Sequence, residues 1–302
     1  MLLSVVIANY NYGRFLDEAI QSVLVQIGEG KNQVPPGEVE IIIIDGGSTD
    51  NSVDVIKKYA GDLPPSPLSS TNYQLSSPVS YWVSEPDKGQ SDAFNKGFAK
   101  AKGRFLTWLN ADDVMLPGTI AKLRVAAEKH PECEWFVGGC FWLDPEMKVI
   151  RCFRARKFSE VRFRTGQVSS WGPSSFFTKR LLDRVGGVDV RCKYTMDGDL
   201  WLKFAAIVGA RYLPFADYVW GLRLHPEAKM SAHNFAESGQ SDPNHPKWKQ
   251  IRYESEIRKE YFTPLLPRSK WNWLRSIKVW SVLLGRLDTR RFAGRYYREC
   301  VR

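Results

Sequence analysis

Apolar residues in the first third of the chain fall into short unbroken runs, separated by stretches where they recur every three or four positions. The runs LLSVVIA (2–8), EVEIIIID (38–45), VSYWVS (79–84) and RFLTWLN (104–110) have the length and β-branched or aromatic content of buried strands. Phe15, Leu16, Ala19, Ile20, Val23 and Leu24 share one helical face after the turn NYNYG. Val53, Ile56 and Ala60 do so after GGSTD, and Ala93, Phe94, Gly97, Phe98 and Ala101 repeat the pattern. The Pro- and Ser-rich stretch 63–78 reads as a surface loop. Strands without internal alternation are buried on both faces. The series therefore predicts an α/β fold, a three-layer α/β/α sandwich around a mostly parallel central sheet. Ligands of such sheets bind beyond the carboxyl ends of the strands.

Composition adds bounds. At 302 residues and 43% hydrophobic, the chain can fill one large core, or one core with a small appendage. The N-terminus lacks the basic flank and cleavage site of a secretory leader, and no run of 18 apolar residues occurs, so a cytoplasmic protein is expected. Five cysteines without a CxxC pair are expected to be reduced and to pack as small hydrophobes. The net charge of +10 is uneven: residues 241–302 hold 15 Lys/Arg against 6 Asp/Glu, leaving the rest nearly neutral. With the polar stretch AESGQSDPNHP at 236–246, this divides the chain into a domain at 1–240 and a basic, aromatic-rich helical extension at 241–302.

Candidate chemistry sits at the strand ends. Asn9, Tyr10 and Asn11 follow the first strand, Asp45 the second, Ser84, Glu85 and Asp87 the third, and Asp112 and Asp113 the fourth. Two adjacent carboxylates about 4 Å apart repel by roughly 4 kcal/mol at an effective dielectric of 20, and a cation is one way to compensate them. The chain has no GxGxxG after its first strand and no GxxxxGK[ST], which disfavours a dinucleotide oxidoreductase and excludes a P-loop. Carboxylates without an anion-binding loop can hold a diphosphate through Mg²⁺ or Mn²⁺, which takes one or two protein carboxylates plus phosphate oxygens. A second cluster, MDGDLWLKFAAI at 196–207, opens a helix with Asp197 and Asp199 in the first turn and Leu200, Phe204 and Ile207 on an apolar face.

The ordered set SVVIANYNYGRFLDEAIQSVLVQ, EIIIIDGGSTDNS, SEPDKGQSDAFNKGFAKAKG, FLTWLNADD and MDGDLWLKFA resembles family-two glycosyltransferases, inverting enzymes of the GT-A nucleotide-sugar fold, over about residues 2–230. The resemblance implies that Ala8 and Tyr10 line the base pocket, Asp45 contacts the nucleoside, and Asp87, Lys88 and Asp92 touch the nucleotide sugar. It further implies that Asp112 meets the ribose or donor sugar and Asp113 the metal. It makes Asp197 the base that takes the acceptor proton, puts His225 on the metal or phosphate, and places Trp171 and Asp199 on the acceptor side. Inversion is a single displacement that asks for one base and a cation on the leaving diphosphate. Two positions depart from the family pattern: Gly46 stands where many members carry a second acid that reaches the uracil, and Asn110-Ala111-Asp112-Asp113 replaces Asp-x-Asp.

The expected activity is transfer from a nucleoside-diphosphate sugar, a UDP-sugar first among them, to a glycan or lipid-linked hydroxyl in cell-surface polysaccharide or glycoconjugate synthesis. A nucleotidyltransferase on a related sheet and a non-catalytic nucleotide-binding module are the alternatives. In the extension, Trp273, Leu274, Ile277, Trp280 and Leu284 form an apolar stripe edged by Arg275, Lys278 and Arg286. A helix of this length, about 21 Å, is too short to span a bilayer but suits the headgroup region of an anionic membrane, so peripheral attachment to the inner face of the cell membrane is expected. A helix packed on the catalytic domain is the other reading. Nucleic acid is not an expected partner, because the aromatics cluster on one stripe.

Overall fold

A computed structural model describes residues 1–61, 79–159, 172–228, 246–261 and 287–300. Nine strands form one sheet. The first four are β1 (Leu3–Asn9), β2 (Val39–Asp45), β3 (Val79–Ser84) and β4 (Phe105–Asn110). They are parallel in the order β3-β2-β1-β4, as the unalternating runs predict. Registers of Asn9 opposite Asp45, Ala8 opposite Asn110 and Asp45 opposite Ser84 bring all four carboxyl ends to one edge.

Beyond β4 the sheet becomes mixed. The added strands are β5 (Val114–Met115), β6 (Trp135–Leu143), β7 (Val149–Phe153), β8 (Ser175–Thr178) and β9 (Leu213–Arg223). Their order continues β4-β8-β6-β9-β5, with β7 on β6, and only the β6–β9 pair is parallel. The parallel expectation thus holds for the first half of the sheet and not for the second.

Alternate residues of the strands feed two cores. Val5, Ile7, Ile41 and Ile43 face α1 (Gly13–Leu24), α2 (Ser52–Ala60) and α4 (Thr119–Lys129). Val6, Ile42 and Ile44 face α3 (Gln90–Lys100) on the other side. There Gly97 lets α3 close onto β1, since a β-carbon at that position would stand 2.2 Å from Val6 Cγ1. Trp108, Trp135, Phe177 and Phe204 surround Trp201 of a further helix, α6 (Met196–Ala206), which follows the short α5 (Lys179–Asp183). The Trp108 and Trp201 rings are nearly parallel, 5.3 Å apart. Ile207, expected on the buried face of α6, lies just past its end and is exposed.

The described part of the extension does not stand apart. Ile257, on α7 (Pro246–Ile257), enters the second core, and Tyr297 enters a third with Val114, Phe141 and Tyr218. Buried Asp288 pairs with Arg154 at 2.5 Å and accepts the Tyr218 hydroxyl. These described parts of the extension thus share cores with residues before position 240. The Trp273–Leu284 stripe lies outside them. No helix among the described residues is long and apolar enough to cross a membrane.

Candidate active site

The carboxyl edge separates the acidic residues by function. Asp45 is fully buried and accepts from Asn9 Nδ2 at 2.6 Å, Ser48 N at 2.9 Å, Ser48 Oγ at 2.5 Å and Ser84 Oγ at 2.6 Å. With both oxygens engaged it fastens three strand ends. Asp50 plays a similar part for the helices, accepting from Gly13 N at the start of α1 and from Ser52 N and Oγ at the start of α2. Asn11 takes φ of 55°, within reach of residues that tolerate the left-handed region, and its side chain accepts from Thr49 N.

An aromatic slot lies beside this knot. The Tyr10 ring is 61% exposed, and Ala8 is half-buried behind it. A β-carbon on Gly46 would stand 2.9 Å from Asp87 Oδ2 and 3.2 Å from Tyr10 Cδ2, so the missing side chain leaves the Asp87 carboxylate against the tyrosine edge. Asp87 Oδ1 accepts from Gly89 N at 2.7 Å. Asp92, in the first turn of α3, accepts from Lys88 N at 3.1 Å and lies 3.7 Å from Lys96, while the Lys88 side chain is exposed.

Beyond the end of β4 the two adjacent aspartates lie in a turn closed by the Asp113 N–Asn110 O hydrogen bond at 3.1 Å, and they diverge. Asp113 is buried, accepting from Asn110 Nδ2 at 2.7 Å and Arg223 N at 3.1 Å. Burial, then the charge of Asp112, push its carboxyl well above the usual range. Its two oxygens thus face donors at the β4 end and on β9. Asp112 instead points to His225, with Oδ2 3.1 Å from Nε2. The His225 ring is packed by Tyr12 and Phe15 at 5.6 and 4.8 Å, and its Nδ1 has no partner among the described residues. Tyr12 donates to the Glu227 carbonyl, and burial with the Asp112 charge raises its phenol to about 12. One carboxylate and one imidazole fit a divalent cation completed by phosphate oxygens, and the nitrogen donor suits Mn²⁺ better than Mg²⁺.

Asn110 explains the altered acidic motif. Its amide donates to Asp113 and accepts from Gln90 Nε2 at 2.8 Å, a bridge an aspartate could not make. Next to Gln90, Ser91 Oγ donates to Cys192 O at 2.7 Å and lies 3.2 Å from Met196 Sδ. The start of α3 thus joins the end of β4 to the start of α6.

Asp197 follows Met196 at that join. It is half-buried in the first turn of α6, and its carboxyl is raised by burial, with the Gly198 amide, the Arg258 charge and the Gly172 amide opposing. Asp199 turns the other way. It is fully buried, 2.9 Å from Lys203 Nζ, and accepts the Tyr261 hydroxyl. Asp189, Cys192 and Asp199 are close enough to hold a metal, but the Lys203 ammonium, 3.5 Å from Asp189 and 2.9 Å from Asp199, already supplies the positive charge. The cysteines are unpaired, as expected. Trp171 lies outside the described residues. Glu254 and Arg258, which contact the start of α6, carry no sequence signal that marks them.

The fold, a mixed sheet with flanking helices, is of the GT-A type. The fold is similar to that of Staphylococcus aureus TarS (residues 1–349, in complex with UDP-GlcNAc): TM-score 0.60, 14% identity, 89% of this chain and 69% of that one. It is also similar to the mannosyltransferase PcManGT of Pyrobaculum calidifontis in complex with GDP-Man and Mn²⁺, at TM-score 0.55, 16% identity and coverage of 84% and 69%. Residues 4–168 match glycosyl transferase family 2, and the chain belongs to that family. An uncharacterised glycosyltransferase of Nostoc sp. is 38% identical over 125 residues, 41% of this chain and 32% of that protein, so the match spans about a third of that relative. An uncharacterised glycosyltransferase of Mycobacterium tuberculosis is 29% identical over 208 residues, 68% of this chain and 69% of that protein.

Proposed function

We propose that the protein is an inverting glycosyltransferase that moves a sugar from a nucleoside-diphosphate donor, a UDP-sugar, to a hydroxyl of a glycan or lipid-linked acceptor. The observation that carries this reading is the Asp112–His225 pair at 3.1 Å, set at the strand edge next to the aromatic slot. The base stacks on Tyr10 and offers its ring N–H to Asp87 Oδ2. Uracil and guanine carry such a donor, adenine and cytosine do not. Bound UDP-GlcNAc in TarS and GDP-Man with Mn²⁺ in PcManGT support this class of ligand.

Asp112 and His225 hold the divalent cation, which when bound stabilises the charge growing on the leaving diphosphate. Asp113 keeps the β4 end and the Arg223 backbone in register so that these two ligands face each other. Asp197 accepts the acceptor proton as the oxygen attacks the anomeric carbon; its raised proton affinity makes it a better base than an exposed aspartate. The charge excess beyond residue 240 and the Trp273–Trp280 stripe support attachment to an anionic membrane surface, where a lipid-linked acceptor resides.

UDP titration with and without Mn²⁺ tests the reading. Asp112→Asn should abolish the metal-dependent part of UDP affinity and His225→Ala should cut it about tenfold, the scale seen for metal-site ligands and their supports. Asp113→Asn should lower thermal stability while leaving metal dependence in place. Equal UDP affinity in Mn²⁺ and in EDTA would overturn the assignment.

A further inference from the structure

Helix α7 and the turn after it, residues 246–261, lie well beyond the family-matched stretch 4–168. Glu254 of this segment is fully buried. Its Oε1 accepts from Lys193 N at 2.7 Å and Tyr194 N at 3.1 Å; its Oε2 accepts from Thr195 N at 2.9 Å and Thr195 Oγ1 at 2.6 Å. Gln250 Nε2 adds a donor at 3.0 Å. Three successive backbone N–H groups thus close around one carboxylate, an anion-binding nest. The nest is the chain that leads into α6, two residues before Asp197. Thr195, at the N-cap of α6, makes no cap bond of its own because its hydroxyl is given to Glu254.

Arg258 lies one turn further along. Its Nη2 donates to Thr195 O at 3.1 Å and stands 3.7 Å from the point where a β-carbon on Gly198 would lie, so the guanidinium covers the first turn of α6. Its Nε is buried without a hydrogen-bond partner among the described residues. Other charged groups near this turn among the described residues have partners, and Lys247 Nζ lies 5.4 Å from the Tyr194 ring centroid. Asp199 and Lys203 are turned toward Asp189, the Tyr261 hydroxyl is given to Asp199, and Glu254 is enclosed by the nest. From the 172–174 turn only the Gly172 amide faces Asp197, and Ser91 of α3 is neutral.

We infer that Glu254 and Arg258 are positioning residues for Asp197: Glu254 fixes the backbone from which it projects, and Arg258 supplies the positive charge beside its carboxylate. The inference rests on the reading of Asp197 as the base. Burial raises the Asp197 carboxyl and Arg258 opposes that rise, so loss of the guanidinium should move deprotonation of the base to higher pH. The segment beyond the recognised family region is thereby part of the catalytic centre.

The experiment measures kcat and donor KM against pH for the full chain with Mn²⁺, by nucleotide release from whichever member of a UDP- and GDP-sugar panel turns over fastest. Arg258→Gln should shift the acid limb of kcat upward by about one pH unit, the lower end for loss of an opposite charge at this range, and Arg258→Lys should restore it. Glu254→Ala should lower kcat roughly 10- to 100-fold, as for a displaced reacting group, with donor KM and UDP affinity within about twofold of wild type. A limb that stays in place in Arg258→Gln, or kcat and UDP affinity falling together in both variants, would reduce the pair to structural supports and overturn the inference. Asp197→Asn separates the two levels. An active Asp197→Asn, or no turnover on any donor, removes the underlying reading, whereas an inactive one with an unmoved Arg258→Gln limb removes only this inference.

Discussion

On the donor side of the strand edge, Asp45 ties Asn9, Ser48 and Ser84, all within the family-matched stretch, while Asp112 and Asp113 meet His225 and Arg223 from beyond it. On the side that carries Asp197, Glu254 reaches back 59 to 61 residues to hold the backbone before the helix. One side combines ties among its own motifs with partners from β9 and the chain after it, the other is braced from α7. The comparison teaches that an acid in a recognisable motif need not face the ligand. Asp45 and Asp113 have both oxygens given to protein donors and Asp199 meets Lys203 and the Tyr261 hydroxyl, while Asp87 and Asp197 each accept a backbone N–H on one oxygen and Asp112 meets His225. Counting acids cannot separate the two groups; the number and kind of their protein partners do.

The largest effect should come from Asp197→Asn, which keeps shape but removes proton acceptance. Turnover should fall by roughly two to four orders of magnitude with UDP affinity nearly intact. Asp199→Asn, by contrast, should act through stability, because it leaves Lys203 buried against one fewer negative charge. A sugar-transfer assay in which Asp199→Asn is the more damaging of the two for kcat at unchanged melting temperature would invert the catalytic side.

Next in size is Asp45→Asn. The amide cannot accept from all four donors and should cost about 1–3 kcal/mol of stability in denaturant unfolding, with little change in UDP affinity of whatever folds. Loss of nucleotide affinity without loss of stability would return Asp45 to the ligand. The smallest effect is expected from Asp87→Asn, which should weaken UDP binding about tenfold and relax discrimination against CDP, since an amide can also donate to the cytosine ring nitrogen. Unchanged UDP and CDP affinities would place the base elsewhere.

Much of this arrangement is legible in the sequence, and the illegible part has a common cause. The four apolar runs fix the parallel half of the sheet and hence the edge on which Tyr10, Asp45, Asp87 and Asp112 meet. Strand alternation predicts that Asp112 and Asp113 diverge, but they lie in the turn after β4, and Asp113 turns inward to Asn110 and to Arg223 N, 110 residues away. Nothing in KWKQIRYESEI distinguishes Glu254 from the exposed Glu256 until its partners at 193–195 are known. The antiparallel half of the sheet is equally hidden, because β6, β8 and β9 pair across long sequence separations that no local periodicity encodes.

The placement of β9 between β6 and β5 has a consequence for how the protein is made. About 70 residues separate the end of β6 at Leu143 from the start of β9 at Leu213. At ribosomal rates of roughly 5–20 residues per second, the gap lasts on the order of 4 to 14 s. During that interval the nascent chain carries an apolar strand whose future neighbour has not been synthesised, and such open edges invite pairing with other chains. His225 follows two residues after β9, so the Asp112–His225 pair is among the later features to form. A truncated or stalled polypeptide that ends before Leu213 would carry the edge with Tyr10 and Asp87 but would lack His225 and one side of the partly built sheet.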